Sequence, residues 1–143
     1  MKSDNHLFTL ARECSMRASY CGSARLGCIA VYKGSVLAKG WNSDKTHTAQ
    51  ARYNRYRFKE CGNRYLPSKL HAEMTVLQKI RYLDIDFSRL HLYIYREWKD
   101  GTVAIARPCE ACMAAIRAMG IRHIHYTTDC GFAYEKLLME NKR

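Results

Sequence analysis

The order of segments along this 143-residue chain predicts an α/β fold with a central mixed sheet and helices on its faces. Three observations carry that expectation. Apolar residues recur at helical spacing within residues 4–20, 71–83 and 109–119. Short apolar runs at 27–33, 36–41, 90–96 and 121–127 read as strands. Glycine-containing turns, Lys33-Gly34-Ser35 and Lys99-Asp100-Gly101, separate strands that are close enough in sequence to pair.

Taken in order, Leu7, Leu10, Ala11, Cys14 and Ala18 form one face of a first helix, with Asp4 as its cap. GCIAVYK and VLAKGW then make a hairpin. Residues 43–70 lose the apolar period and interleave aromatic with basic side chains, so they read as a long loop holding one short helix. Ala72, Val76, Leu77, Ile80 and Leu83 restore a helical face. LHLYIYR is a strand, 102–106 a short returning one, and 109–119 a helix stopped by Gly120. IRHIHYT is the next strand, and 132–141 is expected to close the chain as a helix. No linker, repeat or low-complexity tract divides residues 1–143, so one domain is expected.

Composition narrows the class. The formal charge is +11, which favours phosphate-bearing partners. No apolar run reaches the length of a membrane span, and the first residues lack a secretory core, so a cytoplasmic protein away from the membrane is expected. Seven cysteines, an odd number, fit reduced thiols better than a disulfide framework.

Two fragments carry chemistry: His71-Ala72-Glu73 and Pro108-Cys109-Glu110-Ala111-Cys112, each opening a predicted helix. Cys109 and Cys112 are three apart and so share a helix face. A helix N-terminus there favours thiolate. Two thiolates and an imidazole make three ligands for Zn²⁺, the number that leaves a position for water. Glu73 lies two residues from His71, near enough to handle that water's proton.

His-x-Glu followed by Pro-Cys-x-x-Cys resembles the signature of the zinc-dependent nucleobase deaminases. Ser19-Tyr20-Cys21 through Arg25, Gly27-Cys28-Ile29-Ala30-Val31 and Gly40-Trp41-Asn42 look like the opening hairpin of deoxycytidylate deaminases. Gly-Trp-Asn is also similar to the matching stretch of tRNA adenosine deaminases. The resemblance, to the cytidine and deoxycytidylate deaminase superfamily, covers residues 5 to about 138. It implies a three-layer α/β/α fold, with zinc on His71, Cys109 and Cys112 and Glu73 as proton shuttle. It also implies Asn42 in the pocket, bonded to the nucleoside, and Ala72 as the small residue that leaves the pocket open. Such proteins often form dimers or larger assemblies, which makes a homo-oligomer an expectation.

The chain also departs from that pattern. Between Glu73 and Cys109 lie 35 residues, a long gap, and the excess falls at the Arg96–Gly101 hairpin. Thr75 stands where deoxycytidylate deaminases typically have Asn.

Other uses of the same residues compete. Cys-x-x-Cys serves redox chemistry in thioredoxin-like motifs, but those place Pro between the cysteines, and Pro108 precedes them here. A purely structural zinc calls for a fourth protein ligand. Asn42 could terminate a turn. Cys14, Cys21, Cys28 and Cys61 match no standard metal spacing and read as small buried apolar residues. His47, His91, His123 and His125 show no ligand spacing. Met113, Ile116 and Met119 read as core.

Residues 39–69 hold eight Lys or Arg against two acids, together with Trp41, Tyr53, Tyr56, Phe58 and Tyr65. Cations on phosphate and aromatics under bases are how single strands are held. Arg52, Arg55, Arg57 and Arg64, with Tyr53 or Tyr56 stacking, are therefore the expected substrate-binding set. The charge leans toward a base within single-stranded DNA or RNA, cytosine or adenine. The hairpin resemblance leans toward a phosphorylated cytosine nucleotide, and that is the preferred reading. A third reading, a catalytically silent nucleic-acid-binding relative, has no use for Glu73.

Overall fold

The computed structural model describes residues 3–18, 24–43, 48–57 and 70–138, with the main chain alone at residue 57. Within them a six-stranded sheet runs β2-β1-β3-β5-β6, and β4 adds to β3. Its strands are β1 (Ala24–Tyr32), β2 (Ser35–Trp41), β3 (His91–Trp98), β4 (Val103–Ala104), β5 (His123–Thr128) and β6 (Gly131–Lys136). Only β3 and β5 pair in parallel; the other pairs are antiparallel, so the sheet is mixed as expected. The parallel pair needs a crossover, and the helix Glu110–Met119 supplies it.

Helices cover both faces. α1 (Asp4–Ser15) lays Leu7, Phe8, Ala11 and Cys14 against Ile29, Val31, Tyr93 and Tyr95. On the other face lie α2 (Thr48–Asn54), α3 (Ala72–Ile80) and α4 (Glu110–Met119). There Met74, Val76, Leu77, Ile80 and Ile116 meet Cys28, Ala30, Leu92, Ile94 and Ile124. Alternate residues of β1 and β3 thus feed two separate cores, as the two-residue strand period requires. Cys14 and Cys28 are free thiols inside them.

Two glycines set the layer spacing. A Cβ on Gly27 would lie 2.0 Å from the Ala11 carbonyl oxygen and 2.6 Å from the Ser15 nitrogen. One on Gly40 would lie 3.0 Å from the Ala72 carbonyl oxygen and from the Thr75 and Val76 side chains. The first lets α1 rest on β1; the second seats the start of α3 on β2.

The structure corrects three sequence expectations. Residues 131–136 form β6, paired antiparallel with β5, where a closing helix was expected over 132–141. Cross-strand and cross-layer rings override the helical propensity of this segment: Phe132 stacks on Phe8 at 4.0 Å, and Tyr134 meets the His123 ring at 5.9 Å. Gly131, at φ 152°, and the Thr128 hydroxyl, which accepts from the Cys130 N–H, make the turn. Asp4 is the first helical residue, and Ser3 is the cap, its hydroxyl accepting from the His6 N–H. Finally, α1 ends at Ser15, although Ala18 remains buried.

The three β-strand histidines are satisfied by neighbours: His91 Nδ1 lies 2.8 Å from His125 Nε2, and His123 Nδ1 lies 2.6 Å from the Tyr134 hydroxyl. Burial, then the charge of His91, pushes His125 down to about 4. No helix among the described residues is long and apolar enough to cross a membrane.

The Gly27 contact gives a stability prediction. Gly27→Ala drives a methyl into main chain that cannot swing aside, so an overpacking loss of about 3 kcal/mol is expected. Thermal denaturation should show Tm lowered by roughly 6–12 °C for a domain of this size.

Candidate functional site

His71 is the N-cap of α3 and Cys109 the N-cap of α4, both in extended backbone conformation. Extended caps turn their side chains outward from the helix start, and two helices packed side by side bring the caps together. Cys112, three residues on, is fully buried on the inward face of the first turn of α4. His71 Nδ1 lies 3.6 Å from Cys109 Sγ and 3.4 Å from Cys112 Sγ. A tetrahedral zinc with ordinary Zn–N and Zn–S bonds holds nitrogen and sulfur about 3.6 Å apart. The two nitrogen–sulfur separations therefore match two edges of a zinc tetrahedron. Among the described residues they are the one group of three or more His, Cys, Asp or Glu whose ligand atoms converge this closely, within 4.8 Å of one another.

Neighbouring layers hold the caps in place. The His71 carbonyl accepts from both the N–H and the hydroxyl of Thr75, at 3.0 and 3.1 Å. Thr75, the departure from the deoxycytidylate pattern, thus braces the metal ligand. Leading into Cys109, Ala106 donates its N–H to the Thr127 carbonyl, while the Thr127 hydroxyl donates to the Ala104 carbonyl. The segment between that hairpin and Cys109 is tied to β5 in this way.

The electrostatics match a metal site. The hydrogen bond to Cys112, then that to His71, lowers the Cys109 thiol to about 4. The same bond, with burial, pushes the Cys112 thiol up. One proton is shared where zinc would require none.

Glu73 follows on the first turn of α3 and is buried. Its Oε1 has no hydrogen-bond partner among the described residues. Burial raises its pKa, while the nearby His71 and, more weakly, Arg96 lower it. A buried carboxylate oxygen without a partner costs free energy unless something polar completes it. The donor set and this orphaned oxygen together fit zinc with a polar ligand on its open side.

The other expected residues divide. Ala72 is fully buried and packs in the larger core. Asn42 is buried, its Oδ1 accepting from the Leu26 N–H at 3.0 Å and its Nδ2 donating to the Ala24 carbonyl at 3.1 Å. It ties the open end of β1 to β2, and by its donor and acceptor count one N–H and one lone pair remain among the described residues. Arg52 and Tyr53 line a cleft of about 560 Å³ between α2, α3 and α4, whose lining includes Met74 but none of His71, Glu73, Cys109 and Cys112. The Tyr53 and Tyr56 rings are 6.1 Å apart, and Arg55 covers Tyr56 at 4.9 Å. Cys21, His47, Phe58, Cys61, Arg64, Tyr65 and the Arg57 side chain lie outside the described residues.

Sequence reasoning missed two residues here. Gln50, fully buried on α2, accepts from the His71 N–H at 3.1 Å and donates to Asn54 Oδ1 at 2.9 Å. Its i, i+4 spacing with Asn54 was visible, but its target lies 21 positions away. Arg96, on β3, is close enough to influence Glu73 and stacks over Trp98 at 4.6 Å.

Three converging donor side chains beside a buried carboxylate fit a zinc centre. The family described as the cytidine and deoxycytidylate deaminase zinc-binding region matches residues 1–128, and the chain belongs to that family. No curated protein matches it significantly in sequence. The chain is similar to solved structures. The dCMP deaminase of cyanophage S-TIM5 in apo form superposes with a TM-score of 0.55 at 21% identity, over 90% of this chain and 86% of that one. Its complex with dCMP and dUMP gives 0.56 at 20%, over 90% and 84%. A cytidine deaminase from Burkholderia pseudomallei gives 0.63 at 14%, over 94% and 93%. These likenesses establish the three-layer deaminase fold, and the family's zinc-binding region together with the His/Cys/Cys cluster identifies the cofactor as Zn²⁺.

The retained proton at Cys112 gives the site a pH dependence. Zinc must displace it, so at pH values below the raised pKa of the Cys112 thiol the apparent zinc affinity rises with pH, by about tenfold per unit for each proton released. Competition titrations should show that slope with one zinc per chain. A pH-independent affinity would contradict the shared-proton site.

Proposed function

We propose that the chain is a hydrolytic deaminase that converts cytosine to uracil in a phosphorylated nucleotide of the dCMP kind. The observation that carries this reading is the buried Glu73 carboxylate with its unpartnered oxygen beside the three metal ligands. His71, Cys109 and Cys112 would hold the ion. Zinc, when bound, supplies a Lewis acid that makes water nucleophilic near neutral pH.

The chain's own residues do the rest. Glu73 Oε1 takes a proton from the attacking water and delivers it to the departing amino nitrogen, so that cytosine and water become uracil and ammonia. Burial raises the Glu73 pKa, which brings the carboxyl nearer the operating pH, as a group that both accepts and returns a proton requires. The remaining N–H and lone pair of Asn42 are available to a nucleoside hydroxyl. Arg52, Arg55 and Arg57, with Arg64, supply the cations for phosphate, and Tyr53 or Tyr56 a stacking face. The family supports the deaminase class, and the S-TIM5 enzyme's structure with dCMP and dUMP supports the nucleotide. The exposed Arg55–Tyr56 pair favours a second reading, a base within single-stranded DNA or RNA. We place the protein in the cytoplasm, as a homo-oligomer without membrane contact.

Glu73→Gln keeps the shape and removes the proton carrier. Zinc content and fold should be unchanged, while kcat falls about 10⁴-fold or more, because more than one proton transfer is lost. A variant that keeps most of its activity would refute the mechanism. For the substrate, dCMP and a short single-stranded oligonucleotide are compared on Arg52→Ala, Arg55→Ala, Arg57→Ala and Arg64→Ala. A mononucleotide site shows one sharp KM increase. A strand site shows losses spread over several arginines, with log K against log salt sloping about −0.7 per phosphate. No change in any variant on any substrate removes the arginines from the site.

A further inference from the structure

We propose that Gln50 is a positioning residue for the metal centre: it fixes the main chain of His71 so that the imidazole faces Cys109 and Cys112. The proposal rests on the reading of His71 as a zinc ligand. A helix N-cap has a backbone N–H that no helical carbonyl accepts. At His71 that N–H is given to Gln50 Oε1, at 3.1 Å, from a side chain with no exposed surface. The His71 carbonyl is held from the opposite side by Thr75. With both peptide groups fixed, the direction of the Cα–Cβ bond is fixed, and the ring retains only its two side-chain torsions.

Gln50 is itself held. Its Nε2 donates to Asn54 Oδ1 one turn along α2, and Asn54 is buried too. Burying two amides beneath a seven-residue helix is costly unless their bonds are made, so the pair gives α2 one register against α3. The same helix carries Arg52 and the half-buried Tyr53 at the cleft. α2 therefore joins the segment proposed to meet phosphate to the main chain of a metal ligand, through a single side chain.

The test reads metal, not turnover, so it stands apart from the choice of substrate. Zinc-loaded wild-type protein and variants are mixed with excess chromophoric chelator, and the rate of zinc release is followed. Gln50→Leu and the shorter, still polar Gln50→Asn both lose the reach to His71, and each should release zinc about 10–100 times faster, the usual scale for losing an outer-shell partner. Gln50→Glu keeps an acceptor oxygen at the same reach but gives up the donor to Asn54 Oδ1, so its release rate should fall between those of wild type and Gln50→Leu. Ile124→Val, a core truncation distant in role, should lower Tm without accelerating release. In active preparations, Gln50→Leu should lower kcat more than it raises KM. Wild-type release rates in Gln50→Leu or Gln50→Asn would overturn the proposal, and so would equal acceleration by Ile124→Val. If no substrate is turned over by the wild type, the proposed function fails while the release rates still decide the role of Gln50.

Discussion

Much of this molecule is arranged around one constraint: an imidazole and two thiol groups, carried at the starts of two helices, must stand within 4.8 Å of one another in a largely buried place. Helix N-termini favour thiolate by only about 0.3–1 kcal/mol each. That is small against the cost of burying uncompensated negative charge. A structural zinc site is worth an order of magnitude more, about 10–16 kcal/mol. An ion held there, more than the helix ends, would make this cluster tenable. The helices contribute geometry, and the sheet contributes the geometry of the helices.

The chain meets that constraint through close approaches and main-chain ties. Gly40 lets β2 touch the first turn of α3 at the Ala72 carbonyl, and Thr75 and Gln50 hold His71 from either side. Thr127 fixes the segment that delivers Cys109. Glu73 is then carried into a buried position by the same turn that presents His71, and its Oε1 has no hydrogen-bond partner among the described residues. The basic and aromatic residues of α2 lie at the surface of this frame, on a cleft that does not include the metal ligands.

Much of this was legible in the sequence because it is local. Cys109 and Cys112 declare themselves by helical spacing, His71 and Glu73 by lying within one turn, and the strands by short apolar runs bounded by turns. What was not legible depends on partners distant in sequence. The 132–141 segment reads as a helix until Phe132 is seen against Phe8 and Tyr134 against His123, contacts that only the folded sheet creates. Gln50 sits in a stretch whose surface character, Arg and Tyr, concealed its one buried face. Asn42 reads as a pocket residue through the family pattern, and its two bonds to β1 become visible only when the strands pair.

The proposed reaction is hydrolysis of the amino group of a cytosine nucleotide by this zinc site and Glu73. The most direct measurement is turnover of dCMP by the zinc-loaded protein in heavy-oxygen water, with ammonia and product mass followed together. The account predicts dUMP labelled at the base carbonyl that replaces the amine, with one ammonia released per labelled product. Absence of both ammonia and label, from a protein shown to hold its zinc, would contradict it.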